Sequence, residues 1–267
     1  MGNTKDYAWE VVQFHGTESA VMDDEIASEW PLTVMLNGDE FATMVCSPTD
    51  LDDLLIGFLA AEGMIRSYDE VISISVDEYK GFAYITVRNE LETMHQDHSK
   101  RFIGSCCGKS RQFYLKNDAK TAKTVYSSIS ISVEQCYVLM EELQCQSEQF
   151  MRTGGVHNAA LAEPDGVFTV RTDIGRHNAL DKIYGHMLRN RIPVKNKLIV
   201  FSGRLSSEVV LKIAKIGAGI ILSKSAPTDL ALRLANDLRL TVIGFARGSK
   251  MNVYTHPHRI VEAQKNN

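Results

Sequence analysis

Two short apolar runs, residues 32–36 and 41–46, are separated by Asn37-Gly38. Strand-like runs joined by Asn-Gly predict a β-hairpin, because both turn residues must tolerate positive φ. The spacing then lengthens. Leu51, Leu54, Leu55, Phe58 and Leu59 fall on one helical face. Ser47-Pro48 reads as the cap and first turn of that helix, Asp50, Asp52 and Asp53 as its acidic start, and Gly63 as its stop. Residues 71–76 and 82–88 return to strand character across a short polar loop, so this first part reads as α+β.

Residues 89–123 are polar and show neither period. They predict a long loop or lid, a feature that is uncommon in compact domains and usually functional. A helix is predicted over 133–150. Cys136 and Cys145 would sit on its opposite faces at about 100° per residue, and these two with Cys46 read as structural.

From Gly154 onward, strands and helices alternate. Strands are expected at 167–171, 198–202, 220–223 and 240–246, and helices at 176–191, 206–216 and 227–239. Short Val/Ile/Leu-rich strands between helices imply a sheet covered on both faces and at least partly parallel. The chain therefore divides into a smaller α+β domain, residues 1–125, ending in the long loop, and a larger α/β domain, residues 126–267.

The segments after the strands share a character: 173–178 with Arg176 and His177, 202–208 with Arg204, 223–228 with Lys224, Ser225 and Thr228, and 246–250 with Arg247, Gly248, Ser249 and Lys250. Each carries a cation among Gly or hydroxyl residues, and three lead into helix N-termini, where free N–H groups attract anions. Ligands of open α/β sheets bind outside the strands' carboxyl ends. A site for a phosphorylated, nucleotide-like ligand follows. Ordinary turn and cap chemistry, as at Ser206 or Thr228, is the competing reading. His157 and His177 are each followed by Asn and preceded by glycines near expected helix starts, and read equally as ligand-binding or loop-fixing residues.

Composition narrows the classes. A net charge of −4 over 267 residues argues against a general nucleic-acid binder. No apolar run reaches the roughly 18 residues of a membrane span. The polar first residues carry no secretory signal, and five unevenly spaced cysteines fit a reduced, cytoplasmic compartment. C-x-x-C and zinc-deaminase signatures are missing, so no zinc is expected.

The candidate chemistry lies in Cys106-Cys107, within the long loop. Gly104 and Gly108 flank the pair, and Lys100, Arg101, Lys109 and Arg111 surround it. Nearby cations favour the reactive thiolate.

Several motifs resemble the formate dehydrogenase accessory sulfurtransferase family, FdhD. They are Gly104-Ser105-Cys106-Cys107-Gly108-Lys109, Thr153-Gly154-Gly155-Val156-His157, Asp173-Ile174-Gly175-Arg176-His177-Asn178-Ala179-Leu180-Asp181-Lys182, Ser202-Gly203-Arg204, Ser225-Ala226-Pro227-Thr228 and Gly244-Phe245-Ala246-Arg247-Gly248, closed by Asn252-Val253-Tyr254-Thr255 and Arg259-Ile260. The resemblance implies a sulfur carrier. It takes sulfur from a cysteine desulfurase as a cysteine persulfide and passes it to the molybdenum bis(molybdopterin guanine dinucleotide) cofactor of formate dehydrogenase. It also implies a guanine nucleotide site, with Phe245, Ala246, Arg247, Gly248, Ser249, Lys250, Arg204, Ser225, Thr228, Arg176 and His177 as binding residues. It further implies a cytidine-deaminase-like larger domain and a homodimer. Many relatives carry C-G-x-C-G on the loop. Aligning the final Cys-Gly-Lys puts Cys107 at the second cysteine and Gly104 at the first, so Cys107 is the expected carrier and Cys106 an auxiliary of open role. The alternative is a cofactor-binding chaperone without a persulfide step.

Overall fold

The computed structural model describes residues 7–88, the backbone of 102–103, and 124–264. The Cys106-Cys107 pair and most of the long polar stretch lie outside the described residues.

The expected hairpin is β3 (Trp30–Leu36) and β4 (Asp39–Cys46), with Asn37 at φ 51° and Gly38 at φ 97° in its turn. These strands join β5 (Val71–Asp77), β6 (Phe82–Val87) and the two-residue β7 (Phe102–Ile103) in a five-stranded sheet of order β5-β6-β3-β4-β7. Helix α1 (Leu51–Ala61) covers one face, with Leu54, Leu55, Phe58 and Leu59 in the same core as Leu32, Val34 and Met44. Ser47 is not the cap of α1. The helix begins after Asp50, which is left-handed at φ 48°, because Ser47 faces away: its N–H donates to Asp173 and its hydroxyl accepts from the Ile174 N–H.

The second sheet has six strands, ordered β13-β12-β11-β10-β8-β9. Its strands are β8 (His157–Glu163), β9 (Gly166–Asp173), β10 (Leu198–Phe201), β11 (Ile220–Ser223), β12 (Thr241–Arg247) and β13 (Lys250–Val253). β10, β11 and β12 run parallel, β8 opposes β10, and β9 and β13 form antiparallel edges. Period-two alternation divides the interior. Ala159, Leu161, Ile199, Phe201, Ile221 and Val242 face one core. Ala160, Ala162, Leu198, Val200, Leu222 and Ile243 face another. The second core is covered by α2 (Val133–Cys145) through Cys136, Leu139, Met140 and Leu143. The first is covered by α4 (Arg176–Arg189), α5 (Ser207–Ile216) and α6 (Asp229–Asp237). The result is a helix–sheet–helix sandwich. A short α7 (Val261–Gln264) closes the described chain.

Three differences from the sequence reading have local causes. The helix expected over 133–150 is two, α2 and α3 (Glu148–Thr153), because the Ser147 hydroxyl is drawn 2.6 Å onto the Asn158 side-chain oxygen. His157 opens strand β8, not a helix. Residues 7–26 form an unforeseen hairpin, β1 (Tyr7–His15) with β2 (Glu18–Ile26), which is exposed along nearly its whole length.

The two sheets meet through α1 and α4, which cross at Gly57 and Gly185. A Cβ on Gly57 would lie 1.7 Å from the Asp181 carbonyl oxygen, and one on Gly185 1.8 Å from that of Asp53. Charged groups are locked into this contact. Buried Asp53 accepts from Arg171 (2.8 Å) and Arg189 (2.8 Å). Fully buried Lys182 pairs with fully buried Asp173 at 2.8 Å and donates to the Thr172 carbonyl. Asp181 pairs with Lys212.

Candidate functional site

β9 runs antiparallel to β8 and β8 antiparallel to β10, so β9 ends on the same edge as β10, β11 and β12. All the loops singled out in the sequence therefore open on one edge, and the start of β8 brings His157 there, opposite Asp173.

The loops are tied to one another rather than hanging free. Ser225 donates its hydroxyl to the Ser202 carbonyl (2.9 Å), and Ser223 donates to that of Gly203 (2.9 Å). Leu205 N–H donates to Ala226 O, Thr228 N–H to Leu205 O, and Phe245 N–H to Ser225 O. Asn158 N–H donates to the Ser202 hydroxyl. Arg247 Nε donates to the Lys224 carbonyl, and the Tyr137 hydroxyl to that of Ser249. Such cross-bonding holds a rim in place before any ligand arrives.

Gly203 is required where it stands. A Cβ would meet the Phe201 ring at 2.9 Å and the Arg176 Cβ at 3.3 Å, so the second loop seats directly on the start of α4. Arg176 Nε is buried and meets no acceptor among the described residues. An orphaned guanidinium donor is costly, and an anion would satisfy it. His157 lies in the same field: burial lowers its pKa first, and Arg176 and Arg204 push it further down against Asp173. Arg204, Arg247 and Lys250 are exposed at the rim. Phe245 is exposed with a left-handed backbone, φ 54°, followed by Gly248 at φ 55° in the β12–β13 turn, while Ala246 is buried.

Two sequence-selected residues do other work. The Thr228 hydroxyl caps α6, accepting from the Ala231 N–H. His177 Nε2 sits 3.1 Å from Glu208 Oε2, close but out of hydrogen-bond alignment, where the start of α4 meets that of α5. Within the Asp173–Lys182 motif, Asp173, Asn178 and Lys182 are buried: Asn178 donates to Asp173 and to the Val45 carbonyl, so this half of the motif joins the sheets. Nothing in sequence separated those residues from Arg176. His157 was recognisable only as a candidate, because an alanine-rich β8 concealed its place on the edge.

The His177 pair gives a pH expectation. Burial holds its pKa down at about 4 against the pull of Glu208. The unfolded chain binds the proton near pH 6.5, so this contribution is complete above that pH and is lost as pH falls from about 6.5 to 4, by about 3 kcal/mol at most. Urea unfolding at stepped pH should show stability falling through this window. In His177→Gln that portion of the slope should disappear.

The described cysteines limit the sulfur chemistry. Burial, then Asp173, pushes the Cys46 thiol far up. Burial, then Glu262, pushes Cys136 up to about 12. Neither forms a thiolate at neutral pH. Cys145 is exposed at the end of α2.

The FdhD/NarQ family's sequence model matches residues 27–261. The chain is 58% identical over 245 residues to the sulfur carrier protein FdhD of Halalkalibacterium halodurans, covering 91% of each. It is 53% identical over 253 residues to that of Bacillus subtilis, covering 95% of this chain and 97% of the relative. The structure is similar to the crystal structure of a protein from Desulfotalea psychrophila described as a formate dehydrogenase accessory protein. The TM-score is 0.78 at 26% identity, over 96% of this chain and 99% of that one.

Proposed function

The chain belongs to the FdhD/NarQ family, and from that premise we propose that it is a sulfur carrier acting through a persulfide on Cys107. The Cys107 thiolate attacks the outer sulfur of a cysteine desulfurase persulfide. The new S–S bond forms on Cys107, the desulfurase cysteine leaves as a thiolate, and no net oxidation occurs. Sulfur then passes to a molybdenum bis(molybdopterin guanine dinucleotide) cargo destined for formate dehydrogenase. Cys106 stands beside this step as an auxiliary. The exclusion of Cys46 and Cys136 as thiolates supports placing the chemistry on the loop.

The observation that carries the cargo site is Arg176 Nε, buried without an acceptor among the described residues, on the strand-end edge where Arg204, Arg247 and Lys250 are exposed. In this reading Arg176 and Arg204 hold phosphates and the Phe245–Lys250 turn receives the guanine. The strand order and the helix–sheet–helix layers support a cytidine-deaminase-like larger domain, residues 126–267, beside a smaller domain, residues 1–125. Guanosine diphosphate should bind. Arg176→Gln should weaken it about tenfold or more, the size of one charge-assisted hydrogen bond. Calorimetry showing equal affinities would remove Arg176 from the site.

A homodimer is part of the proposal. One face of the β1–β2 hairpin presents Tyr7, Trp9, Met22 and Ile26, all exposed. A lone two-stranded hairpin is marginal in water, so a second copy is the cover proposed for it. Light scattering should find a dimer that Trp9→Ser with Met22→Ser dissociates; a monomeric parent protein would contradict this. Free Cys46 and Cys136 and the lack of any described helix able to cross a membrane support a cytoplasmic assignment.

The competing reading, a cofactor chaperone without a persulfide, shares the anion-binding edge. It differs in predicting full activity after both loop cysteines are replaced.

A further inference from the structure

The opposite edge of the six-stranded sheet gathers two arginines and two histidines at one cleft. β12 rises from Thr241 to Arg247, and β13 returns antiparallel beside it. The chain after β13 is thereby delivered to the start of β12, about 20 Å from the Phe245–Lys250 turn at 3.3 Å per residue. There His256, His258 and Arg259 meet Arg239, within the α6–β12 connection, and the segment from Val125 to Ser128. Together they line a cleft of about 580 Å³.

No acidic side chain lines this cleft among the described residues. Arg259, only 5% exposed, forms its floor. Its Nη1 donates to the Arg239 carbonyl (2.9 Å) and the Thr241 hydroxyl (3.1 Å), and its Nε to the Ser127 carbonyl (3.3 Å). These partners are neutral, and Arg259 pairs with no carboxylate among the described residues. A buried guanidinium without a counter-charge is unfavourable unless an anion approaches. Arg239 is exposed above it, its guanidinium carbon 5.4 Å from the centre of the Tyr126 ring. The His256 and His258 rings meet edge to face at 5.8 Å, with His256 Nε2 2.9 Å from the Asn236 carbonyl. Burial first, then Arg259 and His256, lowers the His258 pKa.

We propose that this cleft is a second anion site, in which Arg239, His256, His258 and Arg259 receive the diphosphate of a small phosphorylated ligand beside Tyr126. It is independent of the sulfur-carrier reading, since it shares no residue with the four-loop edge.

The test uses the full chain with isotope-labelled histidine. His256→Gln and His258→Gln assign the two imidazole signals, and pyrophosphate is added at constant ionic strength. Both signals should shift and saturate. Arg239→Glu should weaken binding by about tenfold or more, whereas Arg204→Glu, on the other edge, should leave it unchanged. His258→Glu, read on the His256 signal, supplies the same loss should Arg239→Glu not fold. Adenosine diphosphate binding more tightly than pyrophosphate would identify a ring-bearing ligand on Tyr126, and equal affinities a free diphosphate. Shifts that never saturate, that chloride reproduces, or that survive both charge reversals overturn the proposal.

Discussion

Gly57→Ala is expected to lower the melting temperature by about 10 °C or more, although alanine is the better helix former. Helix propensity favours the change by about 1 kcal/mol. Packing opposes it. The new methyl would sit 1.7 Å from the Asp181 carbonyl oxygen, 2.6 Å from its carbon and 2.7 Å from the Gly185 nitrogen, all backbone atoms of α4. None can swing aside as a side chain does. The helices must part, and overpacking of this kind costs about 1–3 kcal/mol or more. Parting also strains the groups fixed across the contact: Asp53 with Arg171 and Arg189, and Ser47 and Thr49 with Lys182. Breaking a buried charge pair costs about 3–5 kcal/mol. The sum approaches the whole stability of a typical domain. Gly185→Ala should behave alike, since its methyl would lie 1.8 Å from the Asp53 carbonyl oxygen. Thermal unfolding followed by circular dichroism decides. A melting point within about 2 °C of the parent protein would mean that the helices are not held this close.

Cys107→Ala should reduce formate dehydrogenase activity on the order of a hundredfold or more in cells whose own carrier has been removed, because the covalent intermediate is lost rather than weakened. Cys145→Ser, at an exposed position on α2, should retain activity. The protein level in the same cells must be measured with the activity, since a folding defect would imitate the result. Full activity from Cys107→Ala would favour the chaperone reading.

The fold was legible where local chemistry and packing agree. Asn37-Gly38 marked its turn, and the Val/Ile/Leu runs of β10, β11 and β12 read as covered parallel strands. β8 escaped notice because Ala159, Ala160 and Ala162 are poor strand formers. They suit a strand enclosed on both faces, where all three are fully buried. The β1–β2 hairpin gives no such signal, because its apolar residues join none of the cores among the described residues.

At the site, the shared loop edge was legible because the strand-end loops each carry a cation. The division of labour within them was not. Asp173 and Lys182 look as available in sequence as Arg176 does. The first two are buried against Ser47 and Thr49, brought there by the smaller sheet's chain, whereas the Arg176 Nε finds no acceptor among the described residues. Charge is written in the sequence, whereas burial and partnership depend on segments more than a hundred residues apart, as in the Ser47–Asp173 bond.

The central claim is that Cys107 carries the sulfur. Incubation of the full chain with a cysteine desulfurase and cysteine, followed by peptide mass spectrometry without reductant, tests it directly. The predicted result is an added mass of about 32 Da, one sulfur atom, on the peptide's Cys107, removed by dithiothreitol and absent from Cys107→Ala. No adduct on the parent protein, or an undiminished adduct on Cys107→Ala, would contradict it.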